Sequence, residues 1–446
     1  LSAHLGITLI GCWADVGGRG WVAPPLIPNV PFLWAWNAPT ELCIAGVDGP
    51  LDLSLFSLVG SPRENVTGQN ITIFYTDRLG YYPYIDMTGR SVNGGIPQKA
   101  SLKKHLDKAK KDIDYYMPIN DTGLAVIDWK EWRPTWARNW KPKHVYRNES
   151  IELVQKHNTQ LDDTEATNIA IVEFEKAAKN FMQETLKLGK LLRPHRLWGY
   201  YLFPDCYNYN YNQHSFTGSC YDIEKRRNDH LDWLWNESTA LFPSIYLTTR
   251  LSPPQIALYV RNRIYEAIRI SRSPDMGRPL PVFVYARPVF TDLVLKYLSQ
   301  DDLVNTLGES IALGASGVVI WGGLSMLRSV VSELTSCSDL DDYLRTTLNP
   351  YLINITLAAK MCNQLGKGLA SRRLIQEYCL SPAFQGFSEL WSCHCTLVWV
   401  TEPSKRLKEC LLQQLGWNCI LKASILIEVT QEQNTKYGMF SLISGS

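Results

Sequence analysis

The strongest constraint in this chain is an alternation. Seven short apolar runs, at 31–36, 71–75, 124–129, 197–203, 240–247, 281–287 and 317–321, are separated by stretches of helical spacing. In 101–116, Leu102, Leu106 and Ala109 share a face; in 164–188, Ala170, Phe174, Ala177, Phe181 and Leu186 recur at the same period. Segments 256–270, 292–298 and 303–313 follow the same rule. Strands alternating with helices predict a parallel sheet, because each parallel pair needs a crossover. Seven or eight such units close as a distorted (β/α) TIM-like barrel. The rival, an open doubly wound sheet, lacks its glycine-rich phosphate loop after the first run. The 446 residues suffice for one such domain and an appendage.

A barrel gathers its chemistry at the carboxyl ends of its strands. Those ends carry Tyr75, Asp128, Tyr201, Asp205, Tyr246 and Trp321. The most telling of them is Asp128-Trp129-Lys130-Glu131. Strand alternation aims positions 128 and 130 to one side and Glu131 to the other. Two acidic groups at 128 and 130 would make a glycosidase-like pair; here the second is a lysine.

A formal net charge of +2 gives no whole-molecule drive toward nucleic acid or a membrane surface. Fifteen Trp and 22 Tyr suit a cleft that stacks on sugar rings and equally a large core. Six Asn-x-Ser/Thr sequons, at Asn65, Asn70, Asn120, Asn148, Asn236 and Asn354, together with 11 Cys point to the secretory pathway. Residues 1–21 contain a short apolar run that reads as a leader remnant. No run reaches transmembrane length, and the last residues lack the apolar tail of a lipid-anchor signal. The barrel is expected over 22–355. A divergent cysteine-containing tail is expected over 356–446, where Cys393-His394-Cys395 is too sparse for a zinc site.

Several stretches are distinctive: I-P-N-V-P-F-L-W-A-W-N-A-P (27–39), I-F-Y-T-D-R-L-G-Y-Y-P-Y (73–84), D-W-K-E-W-R-P-T-W-A-R-N-W (128–140), W-G-Y-Y-L-F-P-D-C-Y-N (198–208), W-L-W-N-E-S-T-A-L-F-P-S-I-Y (233–246) and L-G-A-S-G-V-V-I-W-G (313–322). In these stretches the chain resembles the hyaluronidase family, glycosyl hydrolase family 56, and specifically its sperm-surface branch. The resemblance implies a distorted (β/α) barrel and an endo-β-N-acetylhexosaminidase acting on hyaluronan, in some members on chondroitin. It implies a substrate-assisted retaining mechanism, in which the substrate's acetamido oxygen is the nucleophile and one Glu serves as acid and then base. Asp128 matches the residue that orients the acetamido group. Tyr201 and Tyr246 match tyrosines that hold it. Tyr75, Arg133, Asp205, Ser244 and Trp321 match other cleft positions, and Cys43–Cys337 and Cys206–Cys220 match two barrel disulfides. No cofactor or metal is implied. The partner is a hyaluronan- or chondroitin-type glycosaminoglycan, and the chain is expected to be a monomer, secreted or at the cell or acrosomal surface.

Two departures decide the functional reading. The family's acid/base Glu aligns with Lys130. A lysine has a reference pKa near 10.4, far from a working acid/base catalyst, and its ammonium opposes a cationic oxazolinium-like state. It is expected to pair with Asp128, leaving hydrolysis very weak or absent; the alternative is a lectin-like binder that has lost hydrolysis. After Cys362 the family's cysteine module is no longer recognisable, apart from a faint likeness at 387–395.

Overall fold

The structure is a computed structural model that describes residues 23–364, except 24, 31, 45–49, 214, 274–277 and 328–332. The expected leader and the tail beyond 364 lie outside the described residues. Chain contacts separate Leu1–Ile353 from Asn354–Ser446, and the site lies in the first unit.

Nine strands are present among the described residues: β1 (Leu33–Asn37), β2 (Leu58–Gly60), β3 (Ile71–Phe74), β4 (Tyr84–Ile85), β5 (Ser91–Val92), β6 (Gly123–Ile127), β7 (Arg196–Tyr200), β8 (Phe283–Ala286) and β9 (Gly317–Trp321). Two parallel sheets run in the orders β2-β1-β9-β8 and β3-β6-β7, while β4 and β5 form a small antiparallel hairpin outside them. The segment 240–247 closes the gap between β7 and β8 by parallel bridges Tyr201↔Phe242, Leu241↔Val282 and Ser244↔Tyr285. On the opposite side β2 abuts β3, where a Cβ on Gly60 would stand 2.9 Å from the Ile71 carbonyl. The result is a distorted parallel barrel.

Its interior is filled by alternate residues: Leu33 and Ala35, Ile71 and Ile73, Leu124 and Val126, Phe283 and Tyr285, with Phe242 and Val319. Each large apolar side chain buried there contributes about 1.5–3 kcal/mol relative to exposure. The outer ring includes α1 (Leu102–Tyr116), α2 (His144–His157), α3 (Asp163–Leu192), α4 (Asp222–Asp229), α5 (Asp232–Glu237) and α6 (Pro253–Ser271). The 30-residue α3 opens with a capping box, Asp162 with Glu165, and buries Ala166, Ala170, Phe174, Ala178 and Phe181. Among the described residues two disulfides are formed, Cys43–Cys337 and Cys206–Cys220.

Three local expectations are corrected. Run 240–247 makes isolated bridges rather than a continuous strand, because Pro243 has no N–H to donate to the ladder. Segment 292–298 is not a helix. Asp292 accepts from Thr248 Oγ1 at 2.6 Å and Thr249 N at 2.9 Å, so the group that would cap such a helix is tied to another loop. Strand β6 stops at Ile127, short of the end of the run at 124–129, so alternation does not extend through 128–131. Asp128 and Lys130 nevertheless meet, through a loop rather than a pleat.

Candidate active site

Each parallel strand hands its next residue to one rim of the barrel. Tyr75 follows β3, Asp128 follows β6, Tyr201 follows β7, and Trp321 ends β9. Segment 240–247 adds Ser244 and Tyr246, and Arg287 follows β8. Trp321 Nε1 donates to Tyr75 Oη at 3.1 Å. The Tyr201 hydroxyl donates to Ser244 Oγ at 3.2 Å. The rings of Tyr201 and Tyr246 lie 6.0 Å apart, and Tyr246 stacks on Trp321 at 5.9 Å. Aromatic faces thus line one wall. Burial raises the hydroxyl pKa of Tyr75, Tyr201 and Tyr246, which keeps all three protonated as donors.

Lys130 lies against this wall. Its Nζ is 2.8 Å from Asp128 Oδ2 and 5.4 Å from the Tyr201 ring centre. The pair is asymmetric: the Asp128 side chain is 5% exposed, that of Lys130 50%. Burial raises the Asp128 pKa above the ordinary carboxylate value, and the Lys130 and Arg133 charges oppose the rise. Asp128 Oδ1 is buried with no hydrogen-bond partner in the protein. It is therefore an unsatisfied buried acceptor, on a carboxylate held beside an ammonium.

The loop carrying Lys130 is fixed from beneath. Arg133 Nη1 donates to the Lys130 carbonyl at 2.7 Å, and its Nε to Tyr207 Oη at 3.3 Å. Lys143 Nζ donates to the carbonyls of Lys130 and Glu131 at 2.6 and 2.8 Å. Burial, reinforced by the Arg133 charge, pulls the Lys143 pKa down to about 8. Asp205 is in a buried ion pair with Arg263 of α6, at 2.7 Å. Arg263 also donates to the Ser244 carbonyl at 2.6 Å. Arg133 and Asp205 thus brace the site, whereas Tyr75, Asp128, Lys130, Tyr201, Ser244, Tyr246 and Trp321 converge on it. Lys143, Arg263 and Arg287 were not singled out from sequence. Lys143 and Arg263 bind backbone carbonyls, which no residue pattern announces.

All six sequon asparagines are exposed. Among the described residues no group of three His, Cys, Asp or Glu is placed to hold a metal ion, and no helix is long and apolar enough to cross a membrane. A hollow of about 680 Å³ opens at the other end of the strands, lined by Lys190, Arg196, Trp235 and Arg278 among others. It lacks the paired groups of the rim, so the chemistry is assigned to the carboxyl ends.

Comparison with known proteins gives the family and the fold. A family profile described as hyaluronidase matches residues 21–378. Hyaluronidase PH-20 of Homo sapiens is 68% identical over 358 residues, covering 80% of this chain and 69% of the relative. Hyaluronidase-4 of Homo sapiens is 46% identical over 341 residues, 76% of this chain and 70% of the relative. The crystal structure of bee venom hyaluronidase in complex with a hyaluronic acid tetramer is similar with a TM-score of 0.63 at 30% identity, covering 73% of this chain and 99% of that one.

Proposed function

The chain belongs to the hyaluronidase family, and from that premise we propose that it keeps that glycosidase scaffold while its hydrolytic step is very weak or absent. The observation that carries the reading is the Lys130 ammonium 2.8 Å from Asp128, at the position the family resemblance gives to the acid/base Glu.

The expected reaction has three demands. A donor must protonate the glycosidic oxygen. An anion must stabilise the acetamido group as its oxygen attacks the anomeric carbon. The same donor, deprotonated, must then activate water. Asp128 supplies the second, with Tyr201, Ser244 and Tyr246 shaping the hexosamine pocket. Lys130 removes the first and third. It also neutralises Asp128 before a substrate arrives and sets a positive charge beside a positive intermediate. Acid/base catalysis is typically worth about 10²–10⁴-fold. Glu131 lies in the adjacent loop with its carboxylate near the Lys130 amide, 3.2 Å from that N–H.

The aromatic wall and the cations around it favour a second reading, a glycosaminoglycan binder that does not hydrolyse. Exposed sequons and two disulfides support secretion as a glycoprotein. The test uses the purified secreted protein. Reducing-end release from hyaluronan and chondroitin is followed from acid to neutral pH, and labelled hyaluronan oligosaccharides are titrated by equilibrium binding. Binding without release supports the binder, and neither supports a silent scaffold. Turnover at a rate ordinary for a glycosidase overturns both.

A further inference from the structure

Arg287 stands at the cleft rim after β8 and has no part in the reading above. Its guanidinium lies 5.4 Å over the Trp321 ring and 5.8 Å over the Tyr246 ring. Stacking uses the flat face of a guanidinium and leaves its N–H edge available. The Arg287 Nε is buried and has no hydrogen-bond partner, and no described carboxylate lies within ion-pair distance. Burial lowers the Arg287 pKa from the ordinary arginine value, the mark of a charge lacking compensation. The other described cations of the cleft are engaged. Lys130 is paired with Asp128, Arg133 holds the Lys130 carbonyl, Lys143 holds two carbonyls, and Arg78 donates to the Pro62 carbonyl at 2.7 Å. A buried charged donor left unsatisfied is unfavourable, and an anionic ligand relieves it.

We propose that Arg287 reads the exocyclic anion of the bound glycosaminoglycan, and that this anion is the carboxylate of the uronate next to the hexosamine held at Asp128. The inference rests on the glycosaminoglycan reading above and adds a residue that sets specificity. Lys130, Tyr201, Tyr246 and Trp321 lie in series, each in ring contact with the next. Arg287 covers the far two. Tyr246 shapes the hexosamine pocket and Trp321 closes back onto it through Tyr75, so Arg287 borders the pocket itself. In an alternating hexosamine–uronate chain the sugar next to that pocket carries a carboxylate, and the planar guanidinium edge suits two parallel hydrogen bonds to it.

The test compares the parent with Arg287→Gln and Arg287→Lys by calorimetric titration of four ligands: a hyaluronan hexasaccharide, its carboxyl-reduced form, unsulfated chondroitin and chondroitin sulfate hexasaccharides. Arg287→Gln is expected to weaken hyaluronan and both chondroitins by about ten- to a hundredfold, and to leave the carboxyl-reduced ligand unchanged. Arg287→Lys keeps a point charge and loses the fork, so it falls between; it carries the same comparison if Arg287→Gln does not fold. An equal loss on the carboxyl-reduced ligand makes Arg287 a packing residue and overturns the inference. A loss confined to chondroitin sulfate reassigns the anion to a sulfate ester and overturns the uronate assignment. A folded parent that binds none of the four overturns the functional reading and this inference with it, whereas a parent that binds all four beside an unaffected variant overturns this inference alone.

Discussion

Lys130→Glu is the change that tests the catalytic reading most directly. It removes the ammonium 2.8 Å from Asp128 Oδ2 and places a carboxyl group one bond nearer the backbone. The fold should tolerate it. The Lys130 side chain is half exposed, and an ion pair with one such partner is worth about 1 kcal/mol or less. The electrostatics should change sign. Asp128, already raised by burial, loses an attractive neighbour and gains a like charge, so the two carboxyls cannot both ionise easily. One keeps its proton into the weakly acid range, which is the condition for a general acid. Restored acid/base function should increase hyaluronan hydrolysis by about 10²–10⁴-fold over the parent. The gain should follow a bell-shaped pH profile, absent from a Lys130→Gln control. Reducing-end release between about pH 3.5 and 7.5 measures it. The reasoning fails if Lys130→Glu folds and binds hyaluronan oligosaccharides yet hydrolyses no faster than Lys130→Gln. The cleft then lacks something besides the acid.

The remaining predictions concern the frame beneath the site. His105 is fully buried beside Thr185, and burial lowers its pKa to about 4 from 6.5. Because the unfolded chain binds the proton first, stability should fall as pH drops from 6.5 to 4, by about 3 kcal/mol in all at about 1.4 kcal/mol per pH unit; chemical denaturation of His105→Gln should show a flatter curve. Arg263→Met leaves Asp205 buried and unpaired and should cost about 3–5 kcal/mol, much of it recovered by Asp205→Asn in the same chain. Replacing both Cys206 and Cys220 by Ala opens a loop of sequence separation 14 and should cost about 3 kcal/mol by calorimetry. Weaker oligosaccharide binding should accompany it, since Tyr207 and Tyr209 of that loop touch Arg133 and Arg263.

The barrel was legible because its strands are apolar, buried and spaced by helices, which is what a parallel sheet demands of a sequence. What escaped was either short or not apolar. Strand β2 has three residues, and the β4–β5 hairpin has two residues a side. Helix α2 buries Tyr146, Ser150 and Val154, too mixed a face to register as a stripe. The converse error is at 292–298, where helical spacing was present but Asp292 was held elsewhere. The same division runs through the site. Asp128, Tyr201 and Trp321 could be located by counting to strand ends. Lys143 and Arg263 could not, because each acts across a tertiary contact on a backbone carbonyl.

On the reading proposed above, the residue at 130 would alter the site's chemistry while the scaffold keeps its fold. An acidic group at 130 would form a like-charge pair with the buried Asp128 carboxylate, a cost that the proposed reaction would require. A lysine turns that repulsion into an attraction without touching the core: Asp128 stays buried, while the new side chain extends from a half-exposed position along the Tyr201 face. Its backbone carbonyl is held by Arg133 and Lys143 whatever the side chain is. The change therefore acts on the site's charge and leaves folding nearly indifferent, as expected where active-site groups are arranged against stability. Lys130→Glu should accordingly hydrolyse better and melt no higher than the parent. A variant that gained both activity and stability would show that the Lys130–Asp128 pair is not a relief of strain, and that the lysine is held at 130 for some other reason.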